Sequence, residues 1–111
     1  MTIKEAKEKN YEAYYNWTAS GKPEAFEEMN DSNRDVIRAY LKEKPNTVGY
    51  KFYDSSIVDL KTDPLYNFCC DYLIDKELAE QIKNMKLTQA IAMLNEKNSY
   101  CLIWSWKIWK K

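Results

Sequence analysis

The C-terminal run from Tyr100 to Trp109 constrains the fold most, because it holds three of the four tryptophans of the chain. Side chains in a β-strand alternate between two faces. Five apolar or amphipathic residues would then share one face: Tyr100, Leu102, Trp104, Trp106 and Ile108. The two polar residues inside the run, Ser105 and Lys107, would both lie on the opposite face. This alternation predicts a core-forming strand over 100–109.

A second stretch with alternating apolar residues lies in the middle of the chain, at 47–60. Val48, Tyr50 and Phe52 occupy every second position, and a short apolar run over 57–60 follows the turn residues 54–56. The pattern predicts a β-hairpin. Together with the C-terminal strand, this hairpin would form a small antiparallel sheet.

Most of the remaining chain spaces its apolar residues as amphipathic helices do. Thr2 and Glu5 form a capping-box pair for a first helix over about 3–19, which Gly21 ends. Turn-forming residues 30–32 predict a break after a short second helix. The later helices are predicted from Pro23 to about Met29, from Ser32 to before Pro45 and from Pro64 to Leu73. Asp75 is then a candidate N-cap, so the chain either kinks there or begins a further helix that runs to Met85. Thr88 is predicted to cap a last helix that ends near 95–98.

These patterns predict an α+β fold in which about five short helices pack on a small antiparallel sheet, made of the hairpin 47–60 and the strand 100–109. An all-α bundle with an irregular tail is the alternative. The chain has 111 residues. A chain of this length can bury one real core, so residues 1–111 are expected to form a single compact domain.

The sequence lacks the residues that several common kinds of functional site require. The chain has no histidine, which removes the commonest general base and metal ligand. Its two glycines are isolated and cannot form a phosphate-binding loop. The three cysteines, Cys69, Cys70 and Cys101, do not have the spacing of a four-ligand zinc site. We therefore expect reduced, buried thiols, no metal, no cofactor and no catalytic activity.

Charge and hydropathy bear on the partners and the compartment. The chain has 17 basic and 17 acidic residues, although residues 76–111 hold seven lysines against three glutamates. A charged start and the absence of a long apolar run predict a cytoplasmic protein with no membrane partner. The abundance of Lys, Asn, Ile and Tyr is typical of AT-rich genomes, including those of many bacteria and phages.

Aromatic residues beside the predicted core are the candidates for a contact surface. Tyr11 and Tyr15 flank the buried stripe of the first helix, and tyrosine is common in interfaces. Strand parity places Trp109 opposite Trp104, beside a basic end. The predicted partner-binding residues are Trp109, Lys107, Lys110, Lys111, Tyr11 and Tyr15. The plainer interpretation of the tail is a core strand whose exposed end carries lysines that prevent edge pairing.

The absence of catalytic motifs favours a function in binding. We predict a non-catalytic interaction module that binds and modulates, by inhibition, a larger intracellular protein or nucleoprotein. The composition suggests a phage or mobile-element protein that acts on a host enzyme such as a defence nuclease. The alternative is binding of RNA or single-stranded DNA through the basic C-terminal third. An enzyme that uses carboxylates alone is a third hypothesis.

Overall fold

The computed structural model describes residues 1–51, 54–61 and 70–102, which form four helices and a four-stranded antiparallel sheet. This confirms the predicted α+β fold class. The elements are α1 (Ile3–Ser20), α2 (Pro23–Glu43), β1 (Thr47–Lys51), β2 (Ser56–Val58), β3 (Tyr72–Asp75), α3 (Lys76–Ile82), α4 (Leu87–Glu96) and β4 (Tyr100–Cys101). The described residues fall into two compact units, 1–43 and 44–102. A single domain over 1–111 stays a prediction.

Helix α1 begins and ends where its capping residues predict. The Thr2 hydroxyl accepts a hydrogen bond from the backbone N–H of Glu5, and the Glu5 carboxylate accepts one from the backbone N–H of Thr2, both at 3.1 Å. The hydrogen bond from the Thr2 backbone N–H, and then that from the Thr2 side chain, lower the pKa of the Glu5 carboxyl. At the other end, Gly21 has φ 63° and donates its N–H to the carbonyl of Trp17 at 2.8 Å. Both ends are therefore satisfied by local residues.

Helix α2 runs without interruption from Pro23 to Glu43, so the predicted break at 30–32 is wrong. The Ser32 hydroxyl donates to the carbonyl of Met29 at 2.6 Å and accepts a hydrogen bond from the side-chain amide of Asn10 at 2.8 Å. The same amide donates to the Asn33 side chain at 3.0 Å. These polar side chains do not compete with the helix because they find partners while the backbone stays helical.

Helices α1 and α2 form a helical hairpin. Two residues connect them, and at the open end the N–H of Ile3 donates to the Glu43 carboxylate at 2.6 Å. The buried residues of the hairpin are Ala6, Asn10 and Ala13 from α1 and Met29, Ser32, Asn33, Val36, Ile37, Ala39 and Tyr40 from α2. Small residues on α1 allow the two helices to approach closely over a core supplied mainly by α2.

The sheet belongs to the second unit and has the strand order β2-β1-β3-β4. The predicted hairpin is confirmed: β1 and β2 are antiparallel, with Tyr50 opposite Ile57. Strand β3 pairs with β1 on one side and β4 on the other. Strand β4 covers only Tyr100–Cys101 of the predicted C-terminal strand, and residues 103–109 lie outside the described residues.

Strand β3 contradicts the helix that was predicted to extend through Leu73. Residues 62–69 of that helix lie outside the described part of the chain, but Tyr72–Asp75 form a strand. Tyr72, Leu73 and Ile74 are all buried although successive side chains point to opposite faces. A strand covered on both faces has a continuous apolar run, which periodicity alone cannot distinguish from part of a helix.

The last two helices pack against this sheet. Asp75 is the N-cap residue of α3, as predicted, although the helix ends at Ile82 rather than near Met85. The N-cap residue of α4 is Lys86, so the predicted cap at Thr88 is wrong. The buried core of this unit consists of Tyr50, Tyr72, Ile74, Ala79, Ile82, Ala90 and Leu94.

Candidate protein-interaction surface

The outward face of α1 carries two exposed tyrosines. Tyr11 is 49% exposed and Tyr15 is 67% exposed, while Ala6, Asn10 and Ala13 on the opposite face are buried. Residues four apart are neighbours on a helix surface, so the two rings form one patch, here called the tyrosine face. Their exposure agrees with the prediction that both tyrosines lie outside the buried stripe. Their role as partner contacts stays a prediction.

The other four predicted contact residues belong to the C-terminal run and the two lysines that follow it. Trp109, Lys107, Lys110 and Lys111 lie outside the described residues.

Helix α1 takes part in two aromatic contacts, one of which includes Tyr15 of the tyrosine face. The ring centroid of Tyr15 lies 5.8 Å from that of half-buried Tyr14, at an interplanar angle of 56°. One turn further on, half-buried Trp17 meets Phe26 of α2 edge to face, with centroids 5.2 Å apart. Such tilted and edge-to-face pairs are favourable ring arrangements. The Tyr15 ring therefore has one described aromatic neighbour, Tyr14.

A groove of about 400 Å³ lies between α1 and α2, and we call it the helix groove. Its floor includes Ala13 and Ser32, which are both buried. The remaining lining residues are polar or charged: Lys9, Glu12, Asn16, Glu28, Asp31 and Asp35. The short side chains of the floor residues leave the space open between longer side chains on the two helices.

The helix groove has more negative than positive charge. Asp31 pairs with Arg34 at 2.7 Å, and Asp35 pairs with Arg38 at 3.2 Å. Lys9 lies 3.8 Å from the Asp35 carboxylate. Glu12 and Glu28 make no ion pair with any other residue in the described ranges. Among the residues that the structure describes, these two carboxylates are the lining charges without an ion-pair partner.

Our sequence interpretation did not identify this groove, and the reason is the mistaken helix break. Glu28, Asp31 and Asp35 follow one another at spacings of three and four residues. They share one face only if α2 is continuous. A break at 30–32 would place Glu28 and Asp35 on different helices. The spacing of the acidic residues was therefore a usable signal that the predicted break concealed.

The sheet unit contains a second group of polar side chains, around Tyr72. Burial, with a smaller contribution from the neighbouring Cys101 thiol, raises the pKa of the Tyr72 hydroxyl to about 12. The hydroxyl lies 3.5 Å from the side-chain oxygen of Asn95. A neutral phenol held in this way is a packing element with a polar tip rather than an acid or base.

The described residues contain neither a metal-binding cluster nor a membrane-spanning helix. Within residues 1–51, 54–61 and 70–102, no three acidic or cysteine side chains are placed to hold a metal ion. Cys70 and Cys101 are thiols and not half-cystines. None of the helices described above combines the length and the apolar character needed to cross a bilayer.

Comparison of this chain with protein-family models, with curated proteins and with solved structures finds no match.

Proposed function

We propose that this protein is an interaction module that binds a larger intracellular protein through the tyrosine face of α1. The exposure of Tyr11 and Tyr15 side by side on one helix carries the proposal. Tyrosine offers a large contact area with few rotatable bonds, and tyrosine is enriched among residues that dominate binding energy. Two adjacent exposed rings are therefore suited to being buried in a complex.

The helix that presents these rings is held in place before any partner binds. Both ends of α1 are capped, and the buried Asn10 amide joins α1 to Ser32 and Asn33 of α2. A contact surface that is already ordered loses less conformational entropy on association. The scaffold thus favours binding without a folding step.

We further propose that binding inhibits the partner. The composition supports a phage or mobile-element source, for which a host enzyme such as a defence nuclease is the expected target. A small module without catalytic residues can act by covering a surface of the enzyme that it binds. This step rests on the composition, whereas the location of the contact rests on the exposed tyrosines.

The test compares three forms of the tagged full-length chain in pull-downs from a host lysate at low salt. These are the parent, a double variant with Tyr11→Ser and Tyr15→Ser, and a control with Leu87→Ser. Leu87 is an exposed apolar residue of the other unit, 40% exposed, so its loss controls for removal of exposed apolar surface. Thermal melts verify that all three are folded.

We expect one protein to be recovered by the parent and the control but not by the tyrosine variant. With that protein purified, loss of the two rings should weaken binding by about 2 kcal/mol or more, which is about 30-fold. Equal recovery by all three forms would contradict the proposed surface. Recovery that disappears after nuclease treatment would instead favour the alternative prediction of RNA or single-stranded DNA binding.

A further inference from the structure

We infer that the partner docks on the tyrosine face with a basic segment, whose arginine or lysine side chains enter the helix groove. The inference rests on the proposed function and adds the chemistry of the partner. Glu12 links the tyrosine face to the helix groove, because it lines the groove and lies three residues before Tyr15 on α1. Residues three apart are neighbours on a helix, so the tyrosine face and the groove adjoin.

The negative charge of the helix groove favours a basic partner segment over a neutral or acidic one. The lining includes four carboxylates and one lysine, but Asp31 and Asp35 already pair with basic side chains. The excess negative charge is therefore that of Glu12 and Glu28. A neutral partner that covered the groove would remove Glu12 and Glu28 from water without providing opposite charge, which is costly. An acidic partner would add repulsion. A cationic segment offers both carboxylates hydrogen-bond donors together with the opposite charge.

The dimensions of the site agree with a side chain rather than a whole folded element. A volume of about 400 Å³ can accept one or two long side chains. The apolar stem of an arginine or lysine would lie over Ala13, while its charged end reaches Glu12 or Glu28 at the rim. A second cation of the same segment can lie over the exposed ring of Tyr15, where a cation–π contact is favourable. Tyr15 would thus contribute more than apolar area.

The first test uses a fluorescent peptide of alternating arginine and glycine, with a glutamate–glycine peptide of equal length for comparison. Binding is measured by anisotropy at about 50 mM and about 300 mM salt, since screening weakens exposed charge pairs. The groove variant carries Glu12→Gln and Glu28→Gln. The matched variant carries Glu77→Gln and Glu96→Gln, which are exposed residues of the other unit and change the net charge equally.

We expect the parent to bind the arginine peptide and not the glutamate peptide, with an affinity that falls as salt rises. The groove variant should bind at least about fivefold more weakly, and the matched variant should lose less than about twofold. Tyr15→Leu keeps apolar area but removes the aromatic face, so it should weaken binding by about two- to fivefold. Equal losses in the groove and matched variants would overturn the inference, because only net charge would then matter.

The inference and the proposed function fail in different ways. If a partner is recovered through Tyr11 and Tyr15 but binds the groove variant as tightly as the parent, the inference is wrong and the proposed function stands. If the arginine peptide binds in a groove-dependent manner but the tyrosine variant recovers every protein that the parent does, the proposed function is wrong. The peptide experiment needs no knowledge of the natural partner.

Discussion

Gly49 of β1 lies directly against Cys70. A β-carbon placed on Gly49 would fall 2.5 Å from the Cys70 β-carbon and 2.8 Å from its sulfur. Gly49 is also the residue of β1 that pairs with Val58 on one side and Leu73 on the other. Strands on both sides hold the backbone in position, so the absence of a side chain at 49 is what allows Cys70 to lie there.

Gly49→Ala should therefore lower the free energy of unfolding, by about 1–3 kcal/mol, because the added methyl group overpacks a buried site. Urea denaturation measures the loss. Cys70→Gly removes the opposing β-carbon, so the alanine should cost less in that background than in the parent. A cost that is the same in both backgrounds would show that the contact with Cys70 is not its cause.

The buried amide of Asn10 should contribute to the free energy of unfolding although it is a polar group in the core. Asn10→Ala removes two hydrogen-bond donors from a site with no exposed surface and leaves Asn33 short of a partner. We expect a loss of about 1–3 kcal/mol in the free energy of unfolding. Asn16→Ala is the control, because Asn16 lies on the same helix and is exposed; its cost should stay within about 0.5 kcal/mol. Equal costs for the two variants would contradict the role of the amide.

Stability at high pH should depend on Tyr72. Its pKa is raised from 10.0 to about 12 in the folded protein, mainly by burial, so the folded state favours the protonated phenol. The stabilisation is complete below pH 10 and is lost as the pH rises toward about 12. Urea denaturation of the parent and of Tyr72→Phe at stepped pH values should show a steeper loss for the parent in this window. Parallel curves would mean that Tyr72 ionises alike in the folded and unfolded states.

Two tryptophans of the C-terminal run provide predictions that rest on strand parity alone. Trp104→Ala should cost about 3–5 kcal/mol as a core truncation. Trp109→Ala should change stability by less than about 1 kcal/mol but weaken partner binding by about 2 kcal/mol or more. Both stability and binding have to be measured. A large stability loss with unchanged binding for Trp109→Ala would place that residue in the core.

Short-range signals predicted the parts of the fold that depend on neighbouring residues. The Thr2–Glu5 capping box and Gly21 define α1 to within one residue of the expectation, because each cap is completed by atoms a few residues away. The hairpin β1–β2 was predicted for the same reason, since alternation and a turn are both local patterns. Such elements can be identified before any long-range contact is considered.

Short-range sequence signals predicted only part of the candidate site. The exposure of Tyr11 and Tyr15 followed from the helical period, but the helix groove depended on the continuity of α2. We attribute that continuity in part to a hydrogen bond from Asn10 to Ser32, two residues that are 22 apart in the chain. No pattern within residues 30–32 reveals it, because the deciding donor lies on another helix.

The sequence by itself determined the fold class, both ends of α1, the pairing of β1 with β2 and the outward position of two tyrosines. Tertiary structure alone decided that residues 30–32 stay helical and that Tyr72–Asp75 form a strand between β1 and β4. The first group depends on interactions within a few residues, whose free energies the local sequence specifies. The second depends on partners far along the chain, which satisfy the polar groups of Ser32 and cover both faces of β3 and so override the local preference.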